Sequence, residues 1–343
     1  MSPTENSRVT TVSKDKLSIV CPMRNEEQSI DPFLARLVPV LEAIPGLEYE
    51  LVCVNDGSTD RTLPRLLEAQ ALNPAIRVVD LSRNFGKEAA LTAGIDAARG
   101  DAVVPIDVDL QDPPEVIPKL VERWREGFEV VLARRADRSS DSWLKRFSAG
   151  MFYRLHNRIA DESIPEDVGD FRLLARPVVE ALRLLPERRR FMKGLFAWVG
   201  FRTTAVEYVR EPRHAGDSKF NGWRLWNLAL EGVTSFSTLP LRIWTYLGLV
   251  ISAGSLSYAA YILVRTLVQG VDVPGYASLL VSILFLGGVQ LIGMGVLGEY
   301  VGRLYQEAKQ RPIYIVRATY ERGQSGEPAS VHAAVDRAAA TGR

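Results

Sequence analysis

The sequence predicts an α/β domain built on a mostly parallel sheet and joined to a membrane-spanning helical hairpin. Three observations predict it. Up to about residue 220, short apolar runs alternate with helical stretches, the pattern of βαβ units. The apolar runs are nearly continuous, as strands covered on both faces require. Beyond residue 240, two segments (243–264 and 275–298) carry no charged residue, and each is long enough to cross about 30 Å of hydrocarbon as a helix.

The elements follow in order. The N-terminal "MSPTENSRVTTVSKDK" is polar and lacks an apolar h-region, so residues 1–15 read as a loose tail and not a secretory signal. Strands are expected at "KLSIVCP", "YELVCVND", "IRVVDLS", "DAVVPIDVD" and "FEVVLARR". Helices are expected at "DPFLARLVPVLEAI", "RTLPRLLEAQALN" and "KEAALTAGIDAARG", the last closing on Gly100. The two cysteines, Cys21 and Cys53, each end an apolar run and read as buried structural thiols in a reducing compartment. In such sheets ligands bind beyond the carboxyl ends of the strands. That rule selects "CPMRNEE", "VNDGSTD", "LSRNFGKE" and "IDVDLQD".

The soluble domain is expected over residues 16–219. Residues 220–242 mix Trp223, Trp226 and Phe236 with Arg224 and Glu231, which reads as amphipathic helices in the membrane interface. The hairpin occupies 243–298, with spans 243–265 and 275–298. Its small residues, among them Gly248, Gly254, Gly288 and Gly293, permit close helix approach. Lys219, Arg224 and Arg242 precede the first span, and Arg303, Lys309 and Arg311 follow the second. Positive charge stays inside, so both termini and the α/β domain are expected to be cytoplasmic. Residues 299–343 form a C-terminal segment, read as disordered after about 320. Net charge is +1, which gives no global field directed at nucleic acid.

The fourth strand ends in "IDVDLQD". Carboxylates crowded at a strand end become favourable when a divalent cation neutralises them, and hard cations such as Mg²⁺ or Mn²⁺ take oxygen ligands. Asp107 and Asp109 point the same way if the strand stays extended through both, and Gln111 continues that register. Asp112 alternates away and precedes Pro113-Pro114, so it is expected to cap the next helix. There is no G-x-x-x-x-G-K-[ST] loop and no G-x-G-x-x-G after the first strand, which argues against a kinase, an ATPase or a nicotinamide enzyme. A diphosphate held by metal instead of a glycine loop suggests a nucleotide sugar. Asn84, Gly86 and Lys87 start a helix beside the site, and helix initiation alone accounts for them.

Together "CPMRNEE", "VNDGSTDRT", "DVDLQDPPE" and "DVGDFRLLAR" resemble the inverting, metal-dependent glycosyltransferases of family 2, which have a GT-A fold. "RHAGDSKFNGWRLW" and "LGEYVGRLYQEAKQRPIYIV", flanking the two spans, resemble the polyprenyl-phosphate branch of that family, and the likeness covers roughly residues 16 to 318. The resemblance implies that Pro22, Glu26 and Asp56 contact the nucleotide, with Asp56 accepting from the uracil ring and Asp60 capping the next helix. It implies Asp107 at the ribose or metal, and Asp109 and Gln111 at the metal. "VGDFRLL" supplies Asp170, with Asp167 nearby, near the acceptor pocket, and the resemblance offers an Asp here as a catalytic residue, the base in related enzymes.

The acceptor would be a lipid monophosphate with a second pKa of about 6, already mostly a dianion at neutral pH. The difficulty is then repulsion between two anions, which is several kcal/mol for charges about 5 Å apart at an effective dielectric of about 20. Arg134, Arg135, Arg210 and Ser218 are expected at the acceptor phosphate, and Arg213 and Lys219 beside the reacting groups. The implied reaction is inverting transfer from a UDP-sugar, UDP-glucose first, to polyprenyl phosphate at the cytoplasmic membrane face. GDP-mannose, UDP-N-acetylhexosamine and UDP-aminoarabinose stay open as donors, and a second copy of the chain as a partner. A polymer-forming synthase is disfavoured, because "ERRRFMKGL" lacks the Gln and Trp of the Gln-x-x-Arg-Trp signature of such enzymes and two spans are too few for a channel. A non-catalytic membrane binding protein is disfavoured by the intact Asp107, Asp109 and Gln111 set.

Overall fold

The computed structural model describes residues 15–136, 168–188, 190, 192–209, scattered positions between 244 and 268, and residues 275–321. The strands are β1 (Asp15–Met23), β2 (Leu47–Asn55), β3 (Ile76–Leu81), β4 (Ala102–Pro105), β5 (Val130–Arg135), β6 (Val168–Ala175), β7 (Thr203–Tyr208) and β8 (Val316–Tyr320). The helices are α1 (Ile30–Glu42), α2 (Thr62–Leu72), α3 (Lys87–Ala97), α4 (Ile117–Arg125), α5 (Arg176–Leu184), α6 (Met192–Trp198) and α7 (Tyr276–Ala308).

All eight strands form one sheet in the order β7-β5-β6-β4-β1-β2-β3-β8. β1 pairs parallel with β2 and β4, β2 with β3, and β5 with β7. Only β6 and β8 run against their neighbours. This is the mostly parallel sheet that the alternating apolar runs imply. One face carries Leu17, Ile19, Cys21 and Met23 of β1 against Phe33, Leu37 and Leu41 of α1, Leu66 of α2 and Leu120 of α4. α3 packs on the other face so closely that a Cβ on its Gly94 would lie 2.2 Å from Val20. Seven consecutive residues of α3, Ala89 to Ile95, are buried, which explains why its sequence is small and apolar all round. Cys21 and Cys53 are buried free thiols, paired in register across β1 and β2.

Two expectations need correction. β4 ends at Pro105, so Asp107 and Asp109 lie on a turn beyond the strand and not on an extended strand face. Leu110, in the same stretch, has a left-handed φ of 58°; a bulky residue in that region stores on the order of 1–3 kcal/mol of strain. Asp112 does not cap the following helical turn, which begins after Pro113 without a side-chain cap. It is buried and accepts a hydrogen bond from the Tyr208 hydroxyl on β7. The second expected span, 275–298, falls on α7, which continues beyond it. α7 runs to Ala308, because "EYVGRLYQEA" is a good helix former, and the chain then returns to the sheet as β8.

The chain divides into two compact units. The first holds the sheet and the helices packed on it, including β8. The second holds α7 and the helical positions described between 244 and 268. Within α7, Phe285–Ala308 is long and apolar enough to cross a membrane, by length and composition. Leu291, Ile292, Met294 and Leu297 expose their side chains, as a lipid-facing helix would. Trp244 rests its ring against Gly293, where a Cβ would come within 3.4 Å, so a small residue does permit close packing there. Residues 210–243, which contain the expected interfacial helices, lie outside the described residues.

Candidate active site

The four loops selected by the strand-end rule form one continuous rim. Asn25, after β1, donates its N–H to Ser58 Oγ at 3.1 Å and accepts the Thr59 N–H at 2.8 Å. Glu26 N–H donates to Thr62 Oγ1, and Glu27 N–H to Asp60 Oδ2. Asp60 also accepts the Thr62 N–H at the start of α2, the structural role expected of it. The rim continues through Asp56, which is buried and accepts the Phe85 N–H at 2.7 Å on Oδ1 and the Gly86 N–H at 3.0 Å on Oδ2. Asp56 therefore fixes the loop before α3, whatever else its carboxylate accepts. Pro22 sits near the end of β1, and Glu26 holds Ser29 Oγ at 2.7 Å beside the start of α1.

Gly57 lets the second and third loops touch. Its φ is +56°, and a Cβ there would lie 2.4 Å from the Arg83 carbonyl carbon and the Asn84 nitrogen. Gly57→Ala is expected to part these loops and to weaken UDP binding at least about tenfold, given roughly 1–3 kcal/mol of backbone strain and clash. Calorimetric titration with UDP reads this, and undiminished affinity would show that the contact does not shape a nucleotide site.

The centre of the rim is a three-residue charge cluster. β4 and β6 pair antiparallel with Val103 opposite Leu174. Beyond these paired residues, the segment after β4 carries Asp107 and β6 carries Asp170, and both carboxylates reach Lys87. Two facing carboxylates repel, and Lys87, the first residue of α3, lies between them. Its Nζ is 2.7 Å from Asp107 Oδ2 and 2.9 Å from Asp170 Oδ2. Burial works against the Lys87 charge, but the two carboxylates outweigh it and hold the ammonium well above its ordinary pKa. Burial likewise works to raise Asp170, and the Lys87 charge overcomes it and holds that carboxyl at about 2. Asp170 Oδ1 is buried with no hydrogen-bond partner among the described residues, so one lone-pair face of the cluster is unsatisfied.

Lys87 was not assigned a functional role from the sequence, where starting a helix accounted for it. The signal that could have found it is the tight packing of α3, which leaves its first residue directed at the ends of β4 and β6. Glu88 was also missed. It accepts the Met192 N–H at 3.0 Å, tying α3 to α6, and burial with the Asp170 charge pushes its carboxyl up to about 7. A raised folded pKa means that stability falls as pH rises from the ordinary carboxylate range through about 7. Glu88→Gln keeps the acceptor and removes the titration. The variant is expected to gain on the parent by on the order of 3 kcal/mol between pH 5 and pH 8. Denaturant unfolding at both pH values reads it, and parallel behaviour would contradict the assignment.

The remaining expected residues divide. Asp109 is 9 % exposed and accepts the Gln111 N–H at 3.2 Å, so the acidic turn is closed on itself. Arg134 forms an exposed ion pair with Glu207 at 2.5 Å. Arg135 points to the opposite face, 3.4 Å from where a Cβ on Gly169 would stand, next in sequence to Asp170. Asp167, Arg210, Arg213, Ser218 and Lys219 lie outside the described residues. Among the described residues no three His, Cys, Asp or Glu side chains group as a metal site. Asp107 and Asp109 supply hard oxygen donors, and a divalent cation there would need further oxygens from a bound diphosphate.

Residues 18–183 match the family described as Glycosyl transferase family 2, and residues 239–304 match the GtrB C-terminal hairpin. The chain is 57% identical over 301 residues to "Uncharacterized glycosyltransferase sll0501" of Synechocystis sp., covering 88% of this chain and 94% of the relative. It is 56% identical over 302 residues to "Prophage bactoprenol glucosyl transferase homolog" of Escherichia coli, covering 88% and 98%. Among solved structures it is similar to the mannosyltransferase PcManGT of Pyrobaculum calidifontis, at 16% identity, with a TM-score of 0.43 over 86% of this chain and 88% of that one.

Proposed function

We propose, from the premise that this chain belongs to glycosyl transferase family 2, that it transfers glucose from UDP-glucose to a polyprenyl phosphate at the cytoplasmic face of a membrane, with inversion at the anomeric carbon. The observation that carries this reading is the convergence of Asp107 and Asp170 on Lys87 at the carboxyl end of β4. The relatives named for bactoprenol glucosyl transfer support the sugar and the lipid. The basic flanks of the two apolar segments support the orientation.

In this reading the donor diphosphate lies over the turn carrying Asp107, Asp109 and Gln111. A bound Mg²⁺ or Mn²⁺ would supply charge neutralisation for the leaving diphosphate. Pro22, Glu26 and Asp56 border the nucleotide. An oxygen of the lipid phosphate attacks C1 as the bond from C1 to the diphosphate oxygen breaks, and UDP departs with that electron pair. The acceptor arrives mostly as a dianion, so no strong base is needed. An Asp170 held ionised by Lys87 fits this, since a carboxylate with a pKa of about 2 is a weak base. The Lys87 ammonium stands where two anions must approach, and Arg135, Arg210, Arg213, Ser218 and Lys219 would supply the rest of the acceptor's contacts.

A panel of radiolabelled nucleotide sugars presented to membranes containing the full chain tests the proposal. Label from UDP-glucose is expected in the lipid fraction as one sugar per lipid. A ladder of products, or no lipid product from any donor, would overturn it.

A further inference from the structure

The edge strand β8 is more than a cover for the sheet. β8 follows α7 in the chain, and it pairs antiparallel with β3 through Val78↔Tyr320, Val79↔Thr319, Asp80↔Ala318 and Leu81↔Val316. The register skips Arg317, which is therefore the extra residue of a β-bulge. Bulges redirect side chains. Here the redirected guanidinium reaches back over the end of β3. Its Nη1 is 3.5 Å from Asp80 Oδ2, and its Nη2 donates to the Ser82 carbonyl at 2.6 Å. Ser82 in turn donates its N–H to the Ile315 carbonyl at 2.9 Å.

Both partners lead to the active-site rim. Asp80 is 1 % exposed and accepts Asn55 Nδ2 at 2.7 Å, while Asn55 Oδ1 accepts the Ser58 N–H. Ser82 opens the loop whose Phe85 and Gly86 amides bind Asp56 and whose next residue is Lys87. The contacts run without a break from a strand more than 200 residues distant in sequence to both loops of the rim.

We propose that Arg317 is a positioning residue for the donor site: from its bulge it holds the Ser82–Gly86 loop and, through Asp80 and Asn55, the Asn55–Ser58 turn. The donor assignment rests on the function proposed above, whereas the placement of the loop stands on these contacts alone. The alternative is that β8 only seals the sheet edge, and Arg99 separates the two. Arg99 pairs with Glu321 just after β8, at 2.8 Å, and among the described residues its side chain bonds to neither Asp80 nor Ser82.

The test compares the full chain with Arg317→Ala, Arg317→Lys and Arg99→Ala by amide hydrogen exchange, with steady-state kinetics alongside. Arg317→Ala is expected to speed exchange at Phe85 and Gly86 by about fivefold or more and to raise KM for UDP-glucose by a similar factor, with kcat nearly unchanged. Arg317→Lys is expected to recover part of both, and Arg99→Ala neither. The 59 % exposed Arg317 side chain makes loss of folding an unlikely confounder, and the lysine variant controls for it. Unchanged exchange over residues 82–87 in Arg317→Ala, or an equal effect from Arg99→Ala, would overturn the proposal. If the unmodified chain binds no UDP, the donor reading fails by itself, and the exchange comparison still decides whether Arg317 holds the loop.

Discussion

Replacing Lys87 by methionine is expected to lower kcat/KM for transfer by about 10²–10³-fold, the usual cost of removing one preorganised charge from a reacting centre. Lys87 is the one described cation bonded to both Asp107 and Asp170. Without it two carboxylates face each other at the place where a diphosphate and a lipid phosphate are proposed to meet. The same substitution should weaken a pH dependence. In the parent, Asp170 is held down at about 2, so it contributes stability above the ordinary carboxylate range, and this is lost as pH falls through about 2. The contribution is about 2 kcal/mol. In Lys87→Met the charge that most lowers Asp170 is gone while burial still raises it, so this contribution should shrink, with Lys193 and Arg172 left to hold the carboxyl down. Unfolding midpoints at about pH 2.5 and pH 6 read the change. A variant with parental kcat/KM and a parental pH profile would remove Lys87 from the site.

Asp109→Asn should have an effect of similar size. The substitution keeps the side-chain oxygen that accepts the Gln111 N–H, so the turn is expected to persist. What it removes is one of the two carboxylates available to a divalent cation. Transfer should fall by about 10²–10³-fold, and Mn²⁺ binding in the presence of UDP should weaken in parallel. Electron paramagnetic resonance titration of Mn²⁺ measures the second effect without relying on turnover. Parental Mn²⁺ affinity in the variant would place the cation elsewhere.

The difference between what the sequence revealed and what it concealed has physical causes. The first five strands and first three helices were legible because most are buried along their length, so short apolar runs alternate with longer helix-forming stretches. β6, β7 and β8 were not. β7 is partly exposed and alternates "TTAVEY", while β6 and β8 run against the parallel pattern that alternation suggests. The acidic turn was legible as chemistry but not as geometry, because nothing in "IDVDLQD" announces a left-handed leucine. Lys87 was concealed for a related reason. Its partners come from the segment after β4 and from β6, and β6 standing antiparallel beside β4 accompanies the meeting of both carboxylates at Lys87. Sequence spacing carries no record of that neighbour.

The central claim is that the Lys87, Asp107 and Asp170 cluster, with Asp109 on the adjoining turn, is where the donor diphosphate is held. The most direct measurement is an electron-density or cryo-microscopy map of the full chain with UDP and Mn²⁺ bound. The account predicts the diphosphate over the Asp107–Gln111 turn, with Mn²⁺ between its oxygens and the carboxylates of Asp107 and Asp109. A diphosphate bound away from that turn, with the Lys87 bridge undisturbed, would contradict it.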